Sequence, residues 1–454
     1  MNPPDALDGL FRIDAAGCAD GTGFALAPAS LLLRCSGPAR LEVLAVGSPE
    51  AVSRHEAAGG ACRLQRPHSI LLPALVNAHA HLDLTHIGPQ PFDQQGGFTG
   101  WIGMIRERRA SGILPGIQSV RRGVGLCLMG GAAAVGDIVA GGPEAAQAQL
   151  RDGRLSGAAF LELLGIGPRE PVAIERVRSW AADIRLGGPN GWGGLAVGLQ
   201  PHAPYSAGMK LYQVAADLCR AAHAPFATHL AESRDEHELV AEGRGPLRDF
   251  LDSLGLWTTS LASCFGRGLS PVQFLYPVLR AIPTLAAHVN DCSDDDLNLL
   301  AQTRTSVVYC PRSASYFGHH ADFGPHRYQD MLSVGINVCL GTDSIVNLPP
   351  QHADRLSTLD EMRFLWARDR FNPAKLLAMA TIHGALSLGL DPNRFTLATP
   401  GAAYGGEGRR VAGIIGVDAS DTDPALHPLI RVLESCSLPE WLPLPPEAAM
   451  EEGG

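Results

Sequence analysis

The chain has 454 residues, 46% of them hydrophobic and 18% charged, which excludes a mostly disordered polymer and leaves room for a large barrel with an appendage or for two domains. Net charge is −10 and the sequence pI is about 5.9, with no Lys/Arg run longer than a pair, so a nucleic-acid partner has no electrostatic support. The ten cysteines form no Cys-x-x-Cys pair, which argues against a zinc ribbon or redox dithiol and reads as buried thiols of a reducing compartment.

Met1 to Gly21 carries Asp5, Asp8, Asp14 and Asp20 without a basic-then-apolar run, so no secretory signal is expected. No apolar stretch approaches a bilayer span either, and the expectation is a cytoplasmic protein with no membrane partner. Short β-prone pieces follow at Ser30 to Cys35 and Arg40 to Val46, with another at Val411 to Val417. Residues 1–72 and 386–454 are therefore expected to build one small β-sandwich-like domain from both chain ends. Its last stretch, Leu438 to Gly454, is rich in Pro and Glu and is expected to be poorly ordered.

Residues 73–385 repeat one rhythm: a short apolar run, a polar or His-bearing end, then a helix-like stretch. The strand ends fall at Asn77 to His79, Val135 to Asp137, Leu161 to Leu163, Leu199 to His202, Thr228-His229, Ala287-His288, Val308 to Cys310 and Gly341 to Asp343. Leu211 to His223 and Glu236 to Leu254 have apolar residues at three- and four-residue steps and read as helices. Eight such units predict an α/β fold, a (β/α)8 TIM-type barrel with reactive residues at the C-terminal ends of its strands.

His79-Ala80-His81 closes the first of these strands. Residues i and i+2 of a strand share a face, so both imidazoles can reach one Zn²⁺ or Fe²⁺ ion. Alone, this pair reads equally well as two ordinary strand-end histidines. His229 with Glu232, His288, and Asp343 then stand at other strand ends, around the same rim. Gly130-Gly131 is not a phosphate loop, since no Gly-Lys-Ser/Thr follows, and reads as a place of close packing.

These motifs, Val76 to His81, Pro201 to Ser206, His229 to Glu232, His288, Cys310 to Ser313 and Gly341 to Ser344, resemble the amidohydrolase superfamily over roughly residues 70 to 390. The likeness is to its single-metal branch, which contains adenosine-type deaminases, guanine deaminase, aminofutalosine deaminase and the triazine chlorohydrolases. The resemblance implies His79, His81, His229 and Asp343 as ligands of one divalent metal, Zn²⁺ with Fe²⁺ as the alternative. It implies Glu232 as proton shuttle, Asp343 as the group that orients water and takes its proton, and His288 as a hydrogen-bond donor to developing charge. Two-metal relatives bridge their ions with a carboxylated lysine at the fourth strand, but the chain's two lysines, Lys210 and Lys375, fit no such place.

His202 resembles a pocket residue that meets a heterocyclic ring nitrogen, while a turn-stabilising histidine between prolines is the plainer reading. Trp101, Arg312 and His319 are the other candidates for substrate contact, with helix or loop packing as their alternative roles. Asp137 and Glu162 can line a pocket or brace ligands, and His383 reads as packed. At Ala314 many relatives carry Asn, so this chain lacks a side-chain amide there. The expected activity is hydrolytic deamination of an aromatic nitrogen heterocycle, an adenine nucleoside derivative of the aminofutalosine or thioadenosine type. Displacement of halide or alkylamine from a heterocycle, and a non-catalytic metal- or ligand-binding homologue, are the alternatives. The substrate is a small molecule, and a homo-oligomer is expected from the resemblance alone.

Overall fold

The computed structural model describes residues 8–36, 41–109, 113–188, 194–398 and 408–443. Five strands come first: β1 (Asp8–Ala19), β2 (Ala25–Leu26), β3 (Ala29–Ser36), β4 (Leu41–Gly47) and β5 (Cys62–Pro73). The middle of the chain holds β6 (Leu75–Ala80), β7 (Ala132–Val139), β8 (Ser156–Leu163), β9 (Leu195–Pro201), β10 (Ala227–Leu230), β11 (Leu285–His288), β12 (Ser306–Tyr309) and β13 (Val338–Leu340). Three more close it: β14 (Arg409–Val411), β15 (Ile414–Asp418) and β16 (Pro439–Leu442).

The eight middle strands pair in parallel as two sheets, β6-β7-β8-β9 and β10-β11-β12-β13. Two isolated parallel bridges, Leu199 with Phe226 and Ala80 with Asp343, link one sheet to the other at both margins. Strands β7, β8 and β9 are buried at every residue, as parallel strands covered on both faces must be. Parallel direction puts all the C-terminal strand ends on one side, and that is where the histidines and acids of the sequence motifs collect. Small residues allow close packing between strands and at the turn before β7. A side chain on Gly341 would sit 2.8 Å from the His79 Cβ, and one on Gly130 would sit 2.8 Å from the Leu356 carbonyl carbon.

The remaining strands form a sheet in the order β14-β4-β3-β1-β5-β15-β16, with β2 paired to β1. Strands from both chain ends meet at β5, whose Ile70 and Leu72 face Val417 and Ile415 across an antiparallel ladder. Ile13, Leu31, Leu33, Leu71 and Ile414 fill its apolar face. Asp20 ties the ends together again by accepting the Leu397 and Ala398 backbone N–H groups at 2.8 and 3.1 Å.

Three expectations need correction. The single helix over Glu236 to Leu254 is broken, because Gly243 and Gly245 take φ of +68° and +96° before Pro246 starts a new helix, Pro246–Ser253. The β-prone run Val411 to Val417 is two strands separated at Ala412-Gly413. Within Leu438 to Gly454, Pro439–Leu442 is an ordered strand, held by the Trp441 indole N–H on the Leu128 carbonyl at 2.7 Å; residues 444–454 lie outside the described ones. Among the described residues no helix is long and apolar enough to cross a membrane.

Candidate active site

His79, His81, His229, His288, Glu232 and Asp343 converge on one buried point, each less than a tenth exposed. Ligand-competent atoms of His79, His81 and Asp343 lie within 4.8 Å of one another, as do those of His79, His229 and His288 and those of Glu232, His288 and Asp343. The Nε2 atoms of His81 and His229 are 3.2 Å apart. Asp343 Oδ1 is 3.4 Å from His81 Nε2 and 3.7 Å from His79 Nε2. Donor atoms about 2.1 Å from a tetrahedral ion stand about 3.4 Å from each other, so this set fits a divalent metal.

The local backbone is bent to make that convergence. Ala231, His288, Val289 and Asp343 all have φ between +50° and +74°, an unfavourable region for residues with a Cβ. Neighbouring strands hold them there. The Asp343 N–H donates to the His79 carbonyl at 3.0 Å and the Val289 N–H to the Leu230 carbonyl at 2.9 Å. His326, stacked on Tyr309, donates its Nε2–H to the His288 carbonyl at 2.9 Å.

Electrostatics suit cation binding. Burial pushes the His81 imidazole down to about 3 and the His229 and His288 imidazoles well below their ordinary value, so all three present lone pairs near neutrality. Burial works against the Asp343 carboxylate too, but the His79 side chain beside it, first among its neighbours, favours the charged form and holds the group below the usual carboxylate range. His229 Nδ1 lies 3.2 Å from the His202 carbonyl, an obligatory acceptor, which places the proton on Nδ1 and leaves Nε2 free. The Gln200 side-chain amide also lies against this Nδ1, its nitrogen 2.9 Å away, and such an amide can turn its oxygen to an N–H. His79 Nε2 and His288 Nε2 are buried without a hydrogen-bond partner, a costly state that a metal or substrate relieves.

A cavity of about 610 Å³ opens from this point. His81, His229, Glu232, His288 and Asp343 form its floor and Trp101, His202, Glu162 and Tyr205 its inner wall. His202 is anchored by its Nδ1 to the Ser206 hydroxyl at 2.7 Å, while its Nε2 lies 3.8 Å from Glu162. Trp101 sits on the helix Gly97–Arg108, so it is both an amphipathic-helix residue and a wall residue. Arg109 bridges Asp83 and Glu162 at 3.3 and 3.2 Å, and together with His202 it keeps the buried Glu162 charged.

The structure does not bring every candidate to the cavity. Arg312 is buried and its Nε donates to Glu361 at 2.6 Å, so it ties the short helix Pro311–Phe317 to the helix Thr358–Asp369 and does not line the wall. His319 is not among the residues lining the cavity; it is buried with its ring 5.3 Å from that of Phe317, and its Nε2 has no hydrogen-bond partner. His383 bonds the Val338 carbonyl at 2.9 Å and Asp137 the Leu82 N–H at 3.0 Å. Glu232 is not on a helical turn with His229; the chain kinks at Ala231 and the next helix starts at Arg234. Ser313 and Asn347, both touching Asp343, and His326 were not singled out by sequence. Ser313 lay inside a motif, but nothing in the one-dimensional pattern marks Asn347 or His326.

Residues 70–394 match the amidohydrolase family. The chain is an amidohydrolase. This amidohydrolase is 31% identical over 344 residues to aminodeoxyfutalosine deaminase of Deinococcus radiodurans, an alignment covering 71% of this chain and 75% of the relative. It is 28% identical over 238 residues to a 5-methylthioadenosine/S-adenosylhomocysteine deaminase of Pelotomaculum thermopropionicum, spanning 50% of this chain but only 47% of that protein. Among solved structures it resembles aminofutalosine deaminase of Helicobacter pylori (TM-score 0.70, 18% identity, 95% of this chain and 97% of that one). Zinc-bound atrazine chlorohydrolase of Arthrobacter aurescens is equally similar (TM-score 0.70, 18% identity, 94% and 92% covered). At these identities the structural likenesses carry the fold alone.

Proposed function

We propose that this amidohydrolase deaminates an adenine nucleoside derivative of the aminofutalosine or thioadenosine type. The observation that carries this is the cavity floor, where a cation-ready cluster, the buried Glu232 and His288 face one space large enough for a nucleoside. The named activity of the Deinococcus relative supports it. His79, His81, His229 and Asp343 would hold one divalent ion, Zn²⁺ or else Fe²⁺. Such an ion, when bound, supplies the Lewis acidity that makes water nucleophilic near neutral pH. Asp343 orients the water and takes one of its protons; Glu232 gives its proton to the ring nitrogen, takes up the second proton of the water and passes it to the leaving amine, and the proton held on Asp343 then restores Glu232, while His288 donates to the new oxygen. The C–O bond forms at the amino-bearing carbon, the C–N bond breaks, and ammonia leaves. His202 and Trp101 position the base. On this reading the two parallel sheets, joined by their bridges, are one (β/α)8 barrel over residues 73–385, and residues 1–72 with 386–454 are a second, small β domain. The protein works as a cytoplasmic homo-oligomer on a small molecule.

The test is direct: zinc-loaded protein is incubated with aminopurine nucleosides, aminofutalosine and triazines while ammonia and ultraviolet absorbance are followed. Ammonia from an adenine nucleoside is expected. Release of chloride from a triazine with no ammonia from any nucleoside would replace this reading with the chlorohydrolase one.

The outer wall favours a charged tail on the nucleoside. Two helix stripes, Trp101, Ile102, Ile105 and Arg106 on one side and Arg169, Val172, Ala173 and Arg176 on the other, line it with apolar residues that end in arginine. None of these three arginines pairs with a carboxylate among the described residues. Replacing Arg169 and Arg176 together by Ala is expected to raise KM for a carboxylate-tailed adenosine about ten-fold with kcat within about two-fold, the size expected of two partly exposed ion pairs. Initial-rate kinetics on that substrate check it, and an unchanged KM would remove the charged tail from the proposal.

A further inference from the structure

Asp343 has two carboxylate oxygens in different surroundings. Oδ1 faces His81 and His79 at 3.4 and 3.7 Å. Oδ2 accepts the Ser313 hydroxyl at 2.7 Å and the Asn347 amide N–H at 2.9 Å. The same amide nitrogen also lies 3.2 Å from Ser313 Oγ, so all three side chains form one buried network. Every hydrogen bond in it runs toward Oδ2. The amide oxygen of Asn347 is left buried without a partner, and flipping the amide to satisfy it would turn an oxygen onto the carboxylate. The orientation is therefore dictated by Asp343.

Both donors are themselves fixed. Ser313 follows Arg312, whose backbone N–H and guanidinium both bind Glu361, at 3.0 and 2.6 Å. Asn347 ends the 3₁₀ turn Ile345–Asn347, capped by Ser344 Oγ on the Val346 N–H at 3.1 Å. Arg312 thus ties the start of the helix Pro311–Phe317, where Ser313 sits, to the helix that carries Glu361.

We propose that Ser313 and Asn347 are positioning residues that clamp Oδ2 of Asp343 and so reserve Oδ1 for the divalent ion. This rests on the assignment of Asp343 as a ligand. It goes beyond that assignment by naming what selects between the carboxylate's two oxygens.

The experiment compares Ser313→Thr with Ser313→Val, which share shape and differ in the hydroxyl, together with Asn347→Ala. Each chelator-stripped protein is titrated with Zn²⁺ against a chromophoric chelator, and kcat and KM are measured after zinc loading. Loss of such a supporting hydrogen bond is expected to weaken Zn²⁺ binding about ten- to a hundred-fold in Ser313→Val and Asn347→Ala, with KM within about two-fold and kcat reduced. Ser313→Thr should stay near wild type. Equal Zn²⁺ affinity in the Thr and Val proteins, or in Asn347→Ala and wild type, overturns the clamp. If extra volume at 313 unfolds both variants there, the truncation at 347 still decides. Wild-type protein that binds no Zn²⁺ at all marks failure of the ligand assignment and not of the clamp.

Discussion

Glu232→Gln is expected to lower kcat about 10²- to 10⁴-fold while zinc content and KM stay close to wild type. The segment around Glu232 is pinned independently of its carboxyl: its N–H donates to Glu236 Oε2 at 2.9 Å, and its carbonyl accepts from Asn290 Nδ2 at 2.9 Å. Gln therefore occupies the same place, keeps the shape, and loses only the acidic proton. Burial, then the charges of Asp343 and Glu236, raise the Glu232 carboxyl well above its ordinary value. In the ion-free protein a carboxyl raised in this way holds its proton to higher pH, and it faces the cavity as a general acid with His288 Nε2 3.5 Å away. The sign follows: the acid is competent below its raised pKa and is lost above it, so wild-type kcat should fall on the alkaline side and the Gln variant should lack that limb. Single-turnover rates across pH, on zinc-loaded protein, read both effects. Unchanged kcat in the variant would move proton transfer elsewhere.

Much of the architecture was legible because the signals are periodic. Runs such as Ala132–Val139 and Ser156–Leu163 are mostly apolar and buried at every residue, as strands covered on both faces are; near their ends, Glu162 reaches the cavity while Asp137 binds the Leu82 N–H instead. The break in the segment from Glu236 to Leu254 was hidden because its apolar spacing continues across Gly243 and Gly245, where backbone conformation, not side-chain pattern, ends the helix.

Site residues divide along a similar line. His79, His81, His229, Asp343 and Glu232 were found because they sit at strand ends, and their convergence follows from parallel direction. Arg312 illustrates the limit. An arginine beside a motif serine invites a substrate role, yet its destination depends on Glu361, forty-nine residues away along the chain and on a packed helix. Asn347 is similar: four residues after Asp343, it reaches the carboxylate only because a 3₁₀ turn carries it back. Contacts set by loop geometry or by partners remote in sequence leave no periodic trace.

His79→Ala and Asp343→Ala should each abolish detectable turnover and weaken Zn²⁺ binding by at least about a hundred-fold, since each removes one of four donor atoms from a site whose other donors cannot move to replace it. The rigidity is visible in the backbone: Asp343 is held at φ +55° by its N–H on the His79 carbonyl, and strand pairing sets His229 beside Ala287. Metal binding should also stabilise the fold. In the ion-free protein, His79 Nε2 and His288 Nε2 are buried without partners, and a ligand at about a thousand times its dissociation constant adds about 4 kcal/mol of stability by mass action. Chelation should therefore lower the melting temperature of the wild-type protein by several degrees and leave that of His79→Ala unchanged. Elemental analysis with paired melting curves separates the cases. Full zinc occupancy in both variants would remove His79 and Asp343 from the ligand set, whereas loss of zinc with an unaltered melting temperature would keep the ligands and dismiss the stabilisation.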